Sequence, residues 1–339
     1  MMRSDRILLA HGGGGKLTHE LVRTVFLPLL SNPALENLSD SALLPALPPG
    51  RPALTTDAFV VDPPVFPGGD LGYLSVCGTV NDLAMAGARP LWLTWALILE
   101  EGLDGELLRT LVEGAAKASA EAGTPIAAGD TKVVPKGKGD RAFAITAGLG
   151  IVPEGRDTGD HRIRPGDALL VSGPIGEHGA TVIACRHGMA GPGLRSDCAP
   201  LGGLVAALME SGAEVHAMHD PTRGGVATTC NEVAIRRPIR MVLFEESVPV
   251  RPEVQAVCRL LGLDPLYTAC EGRLLAWVSK GDADRALDAL RSHSLGAGAA
   301  IVGTVAEAEA GHAPVSLLTR FGVERPLDFL AGTDVPRIC

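Results

Sequence analysis

The sequence predicts a two-domain α/β (α+β) protein, and three observations lead to this prediction. The chain has 339 residues, more than a single hydrophobic core usually supports. Hydrophobic residues make up 46% and aromatic residues only 4%, so the cores must rest on Ala, Val, Leu and Ile. Short apolar runs alternate with helix-patterned segments, and 42 glycines and 25 prolines mark the turns between them.

The first α/β unit is predicted to span residues 1–155. Its expected strands are Ile7–Ala10, Ala53–Val61, Leu91–Leu99, Pro125–Asp130 and Ala142–Val152. Its expected helices are Thr18–Leu30, Asp70–Ala86 and Glu106–Ala122. Pro153–Asp167, rich in Gly, Arg and Asp, is the predicted linker to the second unit.

The second unit is predicted to span residues 156–313 and to repeat the alternation of strands and helices. Its expected strands are Ala168–Ser172, one ending at His219, Arg240–Phe244, Leu274–Val278 and Ala300–Val305. Its expected helices are Ala180–His187, Leu201–Ser211, Gly225–Arg236, Pro252–Leu261 and Asp282–His293. Residues 314–339 show little periodicity, and we expect them to form a carboxy-terminal segment with a flexible tail, mobile at 331–334 and ending in Cys339.

The composition argues against several classes of function. A formal net charge of −9, with acidic residues spread along the chain, disfavours a nucleic-acid partner. The longest apolar run is about half a bilayer span, and the run after Arg6 is too short for a signal peptide, so no membrane is expected. Seven cysteines without a CxxC pair suggest neither zinc nor disulfides. We expect a cytoplasmic protein.

A glycine-rich loop, His11 to Lys16, is the first candidate site. Gly12, Gly13, Gly14 and Gly15 leave backbone amides free to approach an anion, and Lys16 can meet its charge. The segment is not a Walker A loop, because Leu17 stands where a magnesium-binding Ser or Thr belongs. A phosphate cradle and a plain flexible turn are both compatible with it.

Carboxylates and a lysine within apolar elements form the second candidate site. Asp57, Asp82 and Asp130 would make an oxygen site suited to magnesium if they converged, since lone buried carboxylates are costly. Lys132 follows Asp130 by two residues and would share its side of a strand. Each of these residues could instead be an independent cap or a solvated side chain.

The turn at residues 219–225 (HDPTRGG) combines several polar functions before a helix. His219 is a candidate base, while Asp220, Thr222 and Arg223 could hold a metal or an anion. A simple capping turn is the alternative. Glu271, just before a predicted strand, is a second candidate base or a plain surface glutamate.

The chain ends in Cys339. A thiol at a mobile terminus can move between sites, act as a nucleophile and carry an acyl group. The cysteine is not at the position that prenylation requires. It could also be an exposed spectator.

These motifs together resemble the HypE family of hydrogenase maturation proteins, in the aminoimidazole ribonucleotide synthetase superfamily. The resemblance covers essentially the whole chain and rests on the glycines at 12–15, TDAFVV at 56–61, FPGGD at 66–70, VCGTVNDLAM at 76–85, GDTKVV at 129–134, HDPTRGG at 219–225 and PRIC at 336–339. It implies a two-domain synthetase-like fold in which the amino-terminal sheet forms a dimer barrel and the homodimer holds ATP at its interface. It also implies that Cys270 departs from the family, where Asn precedes the Glu-Gly pair.

The resemblance further implies an activity and its residues. A HypF-type carbamoyltransferase would load Cys339, and ATP would dehydrate the carbamoyl group to a thiocyanate, the cyanide source for [NiFe] hydrogenase iron, with HypC and HypD as the receiving scaffold. Asp57, Asp82 and Asp130 would bind Mg²⁺. The glycine loop, Lys16, Asn81, Asp220, Thr222 and Arg223 would bind ATP, and Lys132, Glu271 and His219 would act with Cys339 in catalysis.

Two alternatives stay open at this point. One is another ATP-dependent kinase or synthetase of the superfamily, although a selenophosphate synthetase would want a reactive cysteine where His11 stands. The other is a nucleotide-dependent scaffold for maturation partners that performs no chemistry.

Overall fold

The amino-terminal half is a four-stranded sheet with helices on one face. The computed structural model describes residues 6–330 and 337–339 of the chain. The elements of this half are α1 (Lys16–Leu21), continued by a π-helical turn (Val22–Phe26) into α2 (Leu27–Leu30), then β1 (Arg51–Phe59), β2 (Val65–Phe66), β3 (Gly69–Asp70), α3 (Leu71–Met85), β4 (Arg89–Glu100), α4 (Gly105–Ala122), β5 (Ile126–Val134) and β6 (Ala142–Val152). The strand order is β1-β6-β4-β5, and within this sheet β4 and β5 run parallel.

The two faces of this sheet differ in what covers them. Phe59, Trp95 and Leu97 point toward the helices and are buried. Because side chains alternate along a strand, the neighbouring residues point the other way. That open face carries partly or fully exposed apolar side chains, among them Leu54, which is 78% exposed, Trp92, Phe143, Ile145 and Leu149.

The carboxy-terminal half is a seven-stranded sheet flanked by helices. Its elements are β7 (Ala168–Val171), α5 (Glu177–Arg186), α6 (Gly202–Glu210), β8 (Val215–His219), α7 (Gly225–Arg236), β9 (Ile239–Phe244), α8 (Pro252–Leu261), β10 (Leu275–Val278), α9 (Ala283–Ser292), β11 (Ala300–Glu307), β12 (Val315–Leu318) and β13 (Glu324–Pro326). The strand order is β13-β12-β9-β11-β7-β10-β8. Little regular structure was expected after residue 314, but β12 and β13 add two strands to this sheet.

The predicted strand at Ile7–Ala10 is wrong, because the chain forms a 3-10 turn at Leu9–Gly12. Ile7 is fully buried and exchanges backbone hydrogen bonds with Gly102 and Leu103, but the pairing stops there. The backbone N–H of Leu8 instead donates to His11 Nδ1 at 2.9 Å, which closes the turn.

The last three residues pack against the body of the protein. Ile338 is 4% exposed and belongs to the amino-terminal core, beside Val182 and Ala269 from the second half. The expected mobile stretch at 331–334 lies outside the described residues. Within residues 6–330 and 337–339, no helix has both the length and the apolar character that crossing a bilayer requires.

Candidate functional site

A carboxylate cluster lies where the two halves meet. Asp57, on β1, shares a hydrogen bond with the side chain of Asp82, on α3. Thr55 Oγ1 donates to Asp82 Oδ2 at 2.7 Å, which fixes that carboxylate. Burial first, and then the charge of Asp82, raise the pKa of Asp57 to about 6, and Arg223 opposes this shift.

Asp220 brings the carboxy-terminal half into the same cluster. It follows β8, and burial first, then the charges of Asp82 and Asp57, raise its pKa to about 7. The turn after it needs glycine, since Gly225 has φ +61° and a Cβ there would lie 2.6 Å from the carbonyl oxygen of Leu266. This turn carries Arg223, the positive group of the cluster.

Cys339 lies inside the site, against Glu271. The thiol is hydrogen-bonded to the Glu271 side chain, and Glu271 is 2% exposed. Burial raises the pKa of the Cys339 thiol well above its usual value, the charge of Glu271 adds to the shift, and Arg223 opposes it. The thiol is therefore docked in its neutral form.

One carboxyl oxygen of Glu271, Oε1, is buried without a hydrogen-bond partner among the described residues. Burial first, then the nearby Asp220 and Asp197, raise the pKa of Glu271 well above its usual value. A buried carboxyl oxygen of this kind suits a proton acceptor placed beside the thiol.

The backbone of Glu271 is held by Asn81 and Asp197. Asn81 Nδ2 donates to the carbonyl oxygens of Ala199 at 3.1 Å and of Glu271 at 3.3 Å, while its Oδ1 accepts from Leu201 N at 2.7 Å. The carboxylate of Asp197 accepts the N–H groups of Glu271 and Gly272, each at 3.3 Å.

The ATP-binding role of Asn81 stays a prediction, and in this structure its side chain is engaged by the second half of the protein. The side chain is 1% exposed, and its amide is already used by the backbone of the second half. Asn81 joins the two halves of the protein, and sequence spacing alone does not distinguish this role from ligand binding.

His219, the predicted base, is held by a carboxylate and an aromatic ring. Its Nε2 lies 2.7 Å from Asp160 Oδ1, and its ring meets the edge of Trp277 at 5.6 Å between centroids. Arg236 Nε donates a hydrogen bond to the other carboxylate oxygen, Asp160 Oδ2, at 2.8 Å. These partners tie β8 to the linker, and the catalytic role of His219 stays a prediction.

A second group of predicted residues lies at the other edge of the amino-terminal sheet. The glycine loop packs on β5, where a Cβ at Gly12 would lie 2.5 Å from Val133 N. Lys132 Nζ lies 2.8 Å from the carboxylate of Asp130, with side chains 63% and 61% exposed. Gly13, Gly14, Gly15 and Lys16 are exposed beside this ion pair, and the Gly14 N–H donates to Thr18 Oγ1 at 3.0 Å.

Asp130 therefore does not join Asp57 and Asp82 within one protomer. Asp57 pairs with Thr146 on the helix-covered face of the sheet, whereas Asp130 pairs with Ala96 on the open face. Strands β1 and β5 are the two edges of the sheet, about 14 Å apart at ordinary strand spacing. Within the described ranges, no three His, Cys, Asp or Glu side chains form a metal-binding group.

Cys270 makes two defined hydrogen bonds, although the family resemblance leads us to expect Asn at this position. Its Sγ accepts the backbone N–H of Gly176 at 3.1 Å, and its own N–H donates to the carbonyl oxygen of Pro221 at 3.0 Å. These two contacts hold Cys270 between Gly176 and Pro221. Neither Asp197 nor Cys270 carries a motif that would have predicted these roles.

Comparison with known proteins identifies the family. The chain matches the AIR synthase related protein N-terminal domain over residues 39–152 and the corresponding C-terminal domain over residues 164–315. It is 46% identical to carbamoyl dehydratase HypE of Rhodobacter capsulatus, over 100% of this chain and 99% of the relative.

Two solved structures agree with this assignment. A crystal structure of the hydrogenase maturation protein HypE in complex with ATP has a TM-score of 0.92 and 43% identity, covering 98% of this chain and 99% of that one. A HypE–HypF complex has a TM-score of 0.79 and 40% identity, covering 93% of this chain and 100% of that one. The chain therefore belongs to the HypE family of hydrogenase maturation proteins, within the AIR synthase related proteins.

Proposed function

We propose that this protein is an ATP-dependent carbamoyl dehydratase that converts an S-carbamoyl group on Cys339 into a thiocyanate. The product would supply the cyanide ligand of [NiFe] hydrogenase iron. One observation carries the proposal: the terminal thiol lies in a buried site, hydrogen-bonded to Glu271 and facing the carboxylate cluster and Arg223. A spectator cysteine would have no reason to occupy this site.

The chemistry follows from the poor leaving ability of a carboxamide oxygen. Transfer of the γ-phosphoryl group of ATP to that oxygen makes it a phosphate leaving group. The C–O bond then breaks, the nitrogen loses two protons, and the carbon–nitrogen triple bond forms. The products are the thiocyanate, ADP and a dihydrogen phosphate ion, so atoms and charge balance.

Glu271 is the residue we assign to proton removal. Its free Oε1 is buried next to the position of the Cys339 sulfur, where the N–H groups of a carbamoyl adduct would lie. A carboxylate with a raised pKa is a stronger base and suits this task. Arg223, exposed at the cluster, would oppose the negative charge that develops on the phosphoryl group.

Magnesium fits the donor set of the cluster. Carboxylate oxygens are the ligands it prefers. Burial first, and then the neighbouring carboxylates, raise the pKa values of Asp57 and Asp220, and a cation would offset both effects. We propose that Asp57 and Asp82, whose side chains share a hydrogen bond, would hold it together with phosphate oxygens of the nucleotide, with Asp220 nearby. When bound, the ion supplies positive charge to the phosphates of ATP.

We propose that the working unit is a homodimer with ATP between its copies. The open face of the amino-terminal sheet is apolar, with Leu54 78% exposed, and a second copy would cover it. Lys132 and the glycine loop lie far from Cys339 within one protomer, so a second copy must bring them, with Asp130, to the nucleotide and the adduct.

The partners implied by the chemistry remain proposals. A HypF-type carbamoyltransferase would load Cys339, and a HypC and HypD scaffold would receive the cyanide. We expect loading to require the tail to leave the site, since the Cys339 thiol is half-buried against Glu271 where it lies. The cytoplasmic location expected from the sequence stays a prediction.

Intact-mass analysis tests the proposal. The protein is incubated with HypF-type carbamoyltransferase, carbamoyl phosphate and magnesium ATP, beside Cys339→Ala and, as a matched control, Cys185→Ala. We expect one carbamoyl mass to be gained and then one water to be lost, in the wild type and in Cys185→Ala but not in Cys339→Ala. An unmodified Cys339 would favour a small-molecule kinase, and a stable carbamoyl adduct without ATP consumption would favour a scaffold.

A further inference from the structure

We propose that His178 is a positioning residue that sets the place of Cys339 in the site by donating a hydrogen bond to the carbonyl oxygen of Ile338. This inference rests on the proposed function, because it concerns how the carbamoyl-bearing sulfur is held against Glu271. The two residues are 160 positions apart in the sequence.

The hydrogen-bond network fixes the state of the His178 ring. Its Nε2 lies 2.7 Å from the carbonyl oxygen of Ile338, which can only accept, so Nε2 carries the proton. Its Nδ1 lies 2.8 Å from Ser196 Oγ and must accept from that hydroxyl. The ring of Phe66 packs edge-on against the imidazole, with 5.3 Å between the ring centroids.

Burial keeps the ring neutral. His178 is fully buried, and burial lowers its pKa to about 4, although the Ile338 carbonyl opposes the shift. The imidazole therefore presents one tautomer to the tail at neutral pH. A neutral Nε2–H donor holds the carbonyl without adding a charge to the core.

The contact lies one peptide unit from the reactive residue. The carbonyl carbon of Ile338 is bonded to the nitrogen of Cys339, so fixing this carbonyl leaves few torsions between the anchor and the sulfur. The Ile338 side chain is packed against α5, where a Cβ on Gly179 would lie 3.3 Å from Ile338 Cδ1. Asp62 N–H donates to the carbonyl oxygen of Arg337 at 3.2 Å and holds the preceding residue.

The alternative is that His178 merely fills the core and supports α5. The two roles differ in what a conservative replacement does. A glutamine at 178 can place its Nε2 near the position of the imidazole Nε2 and keep the donor, whereas an asparagine is one methylene too short. Both replacements lose the aromatic ring, so they serve as matched variants.

The test compares His178→Gln and His178→Asn with the wild type in three measurements. The first is the rate at which iodoacetamide alkylates Cys339, resolved by peptide mass spectrometry, with the half-buried Cys185 as internal control. The second is carbamoylation by the HypF-type enzyme. The third is ATP-dependent dehydration of the carbamoylated protein.

We expect His178→Asn to raise Cys339 alkylation about tenfold and to slow dehydration about tenfold, the effect of one lost buried hydrogen bond. His178→Gln should stay within about twofold of the wild type on the same basis. Carbamoylation should be as fast or faster in both, because loading needs a released tail.

Two results would overturn the inference. One is a Cys339 alkylation rate that is the same in His178→Asn and in the wild type. The other is a His178→Gln variant as impaired as His178→Asn, which would show that the ring is needed for packing alone. The alkylation measurement needs neither ATP nor a carbamoyl group, so it remains decisive even if the wild type fails to dehydrate the adduct.

Discussion

Replacement of Asn81 by alanine distinguishes two roles of this residue, joining the two halves of the protein and binding ATP. The change removes three hydrogen bonds, to Ala199, Leu201 and Glu271, all in the interior. At about 1 kcal/mol for each bond, the free energy of unfolding should fall by about 3 kcal/mol. The carbonyl of Glu271 also loses its support, and a displaced base should slow dehydration by about tenfold to 100-fold.

Asn231→Ala is the matched control for this variant. Asn231 is equally buried, and its Nδ2 donates to Ala227 at 2.8 Å and to Leu327 at 2.7 Å, away from the site. Urea unfolding, ATP affinity and single-turnover dehydration are measured for both. We expect both to lose stability and only Asn81→Ala to lose dehydration rate, with ATP affinity nearly unchanged. A large loss of ATP affinity at unchanged stability would show that Asn81 binds ATP and does not join the two halves.

Three further predictions concern other residues of the fold and site. His219→Asn should lower the unfolding free energy by about 1–3 kcal/mol through the lost bond to Asp160 while dehydration continues, and a loss of activity at full stability would support the catalytic role. Leu54→Glu should shift the protein from dimer to monomer in sedimentation experiments, and an unchanged dimer would place the interface elsewhere. Because the pKa values of Asp57 and Asp220 are raised to about 6 and about 7, the folded state holds extra protons and loses stability as the pH rises from about 4 to about 7. Magnesium should therefore raise the thermal unfolding temperature more at pH 8 than at pH 5, and equal shifts would contradict the assignment.

Much of the secondary structure follows from the sequence because Gly and Pro mark its boundaries. Gly225–Arg236 and Pro252–Leu261 have the same bounds in the prediction and in the structure. The segment Val315–Leu318 was missed, since its strand depends on pairing with β9, a contact distant in sequence. The strand predicted at Ile7–Ala10 is absent for the opposite reason, because an apolar run without a partner strand along its length does not form a strand.

The candidate site was predicted in its chemistry but not in its arrangement. Sequence identifies Asp57 and Asp130 as unusual carboxylates, yet only the strand register shows that they face opposite sides of one sheet. Similarly, spacing marks Asn81 as polar within an apolar helix but cannot say that its partners are backbone groups of the other half. The docked position of Cys339 depends on His178, which no motif singles out.

In the proposed reaction ATP activates the carbamoyl oxygen on Cys339 by phosphorylation. This step can be followed with carbamoyl phosphate whose carbonyl oxygen is ¹⁸O, from which the HypF-type carbamoyltransferase loads the protein. Mass spectrometry of the released inorganic phosphate then locates the label. We expect the ¹⁸O in the phosphate that is released as the thiocyanate forms. Thiocyanate formation with only unlabelled phosphate would rule out phosphorylation of the carbamoyl oxygen.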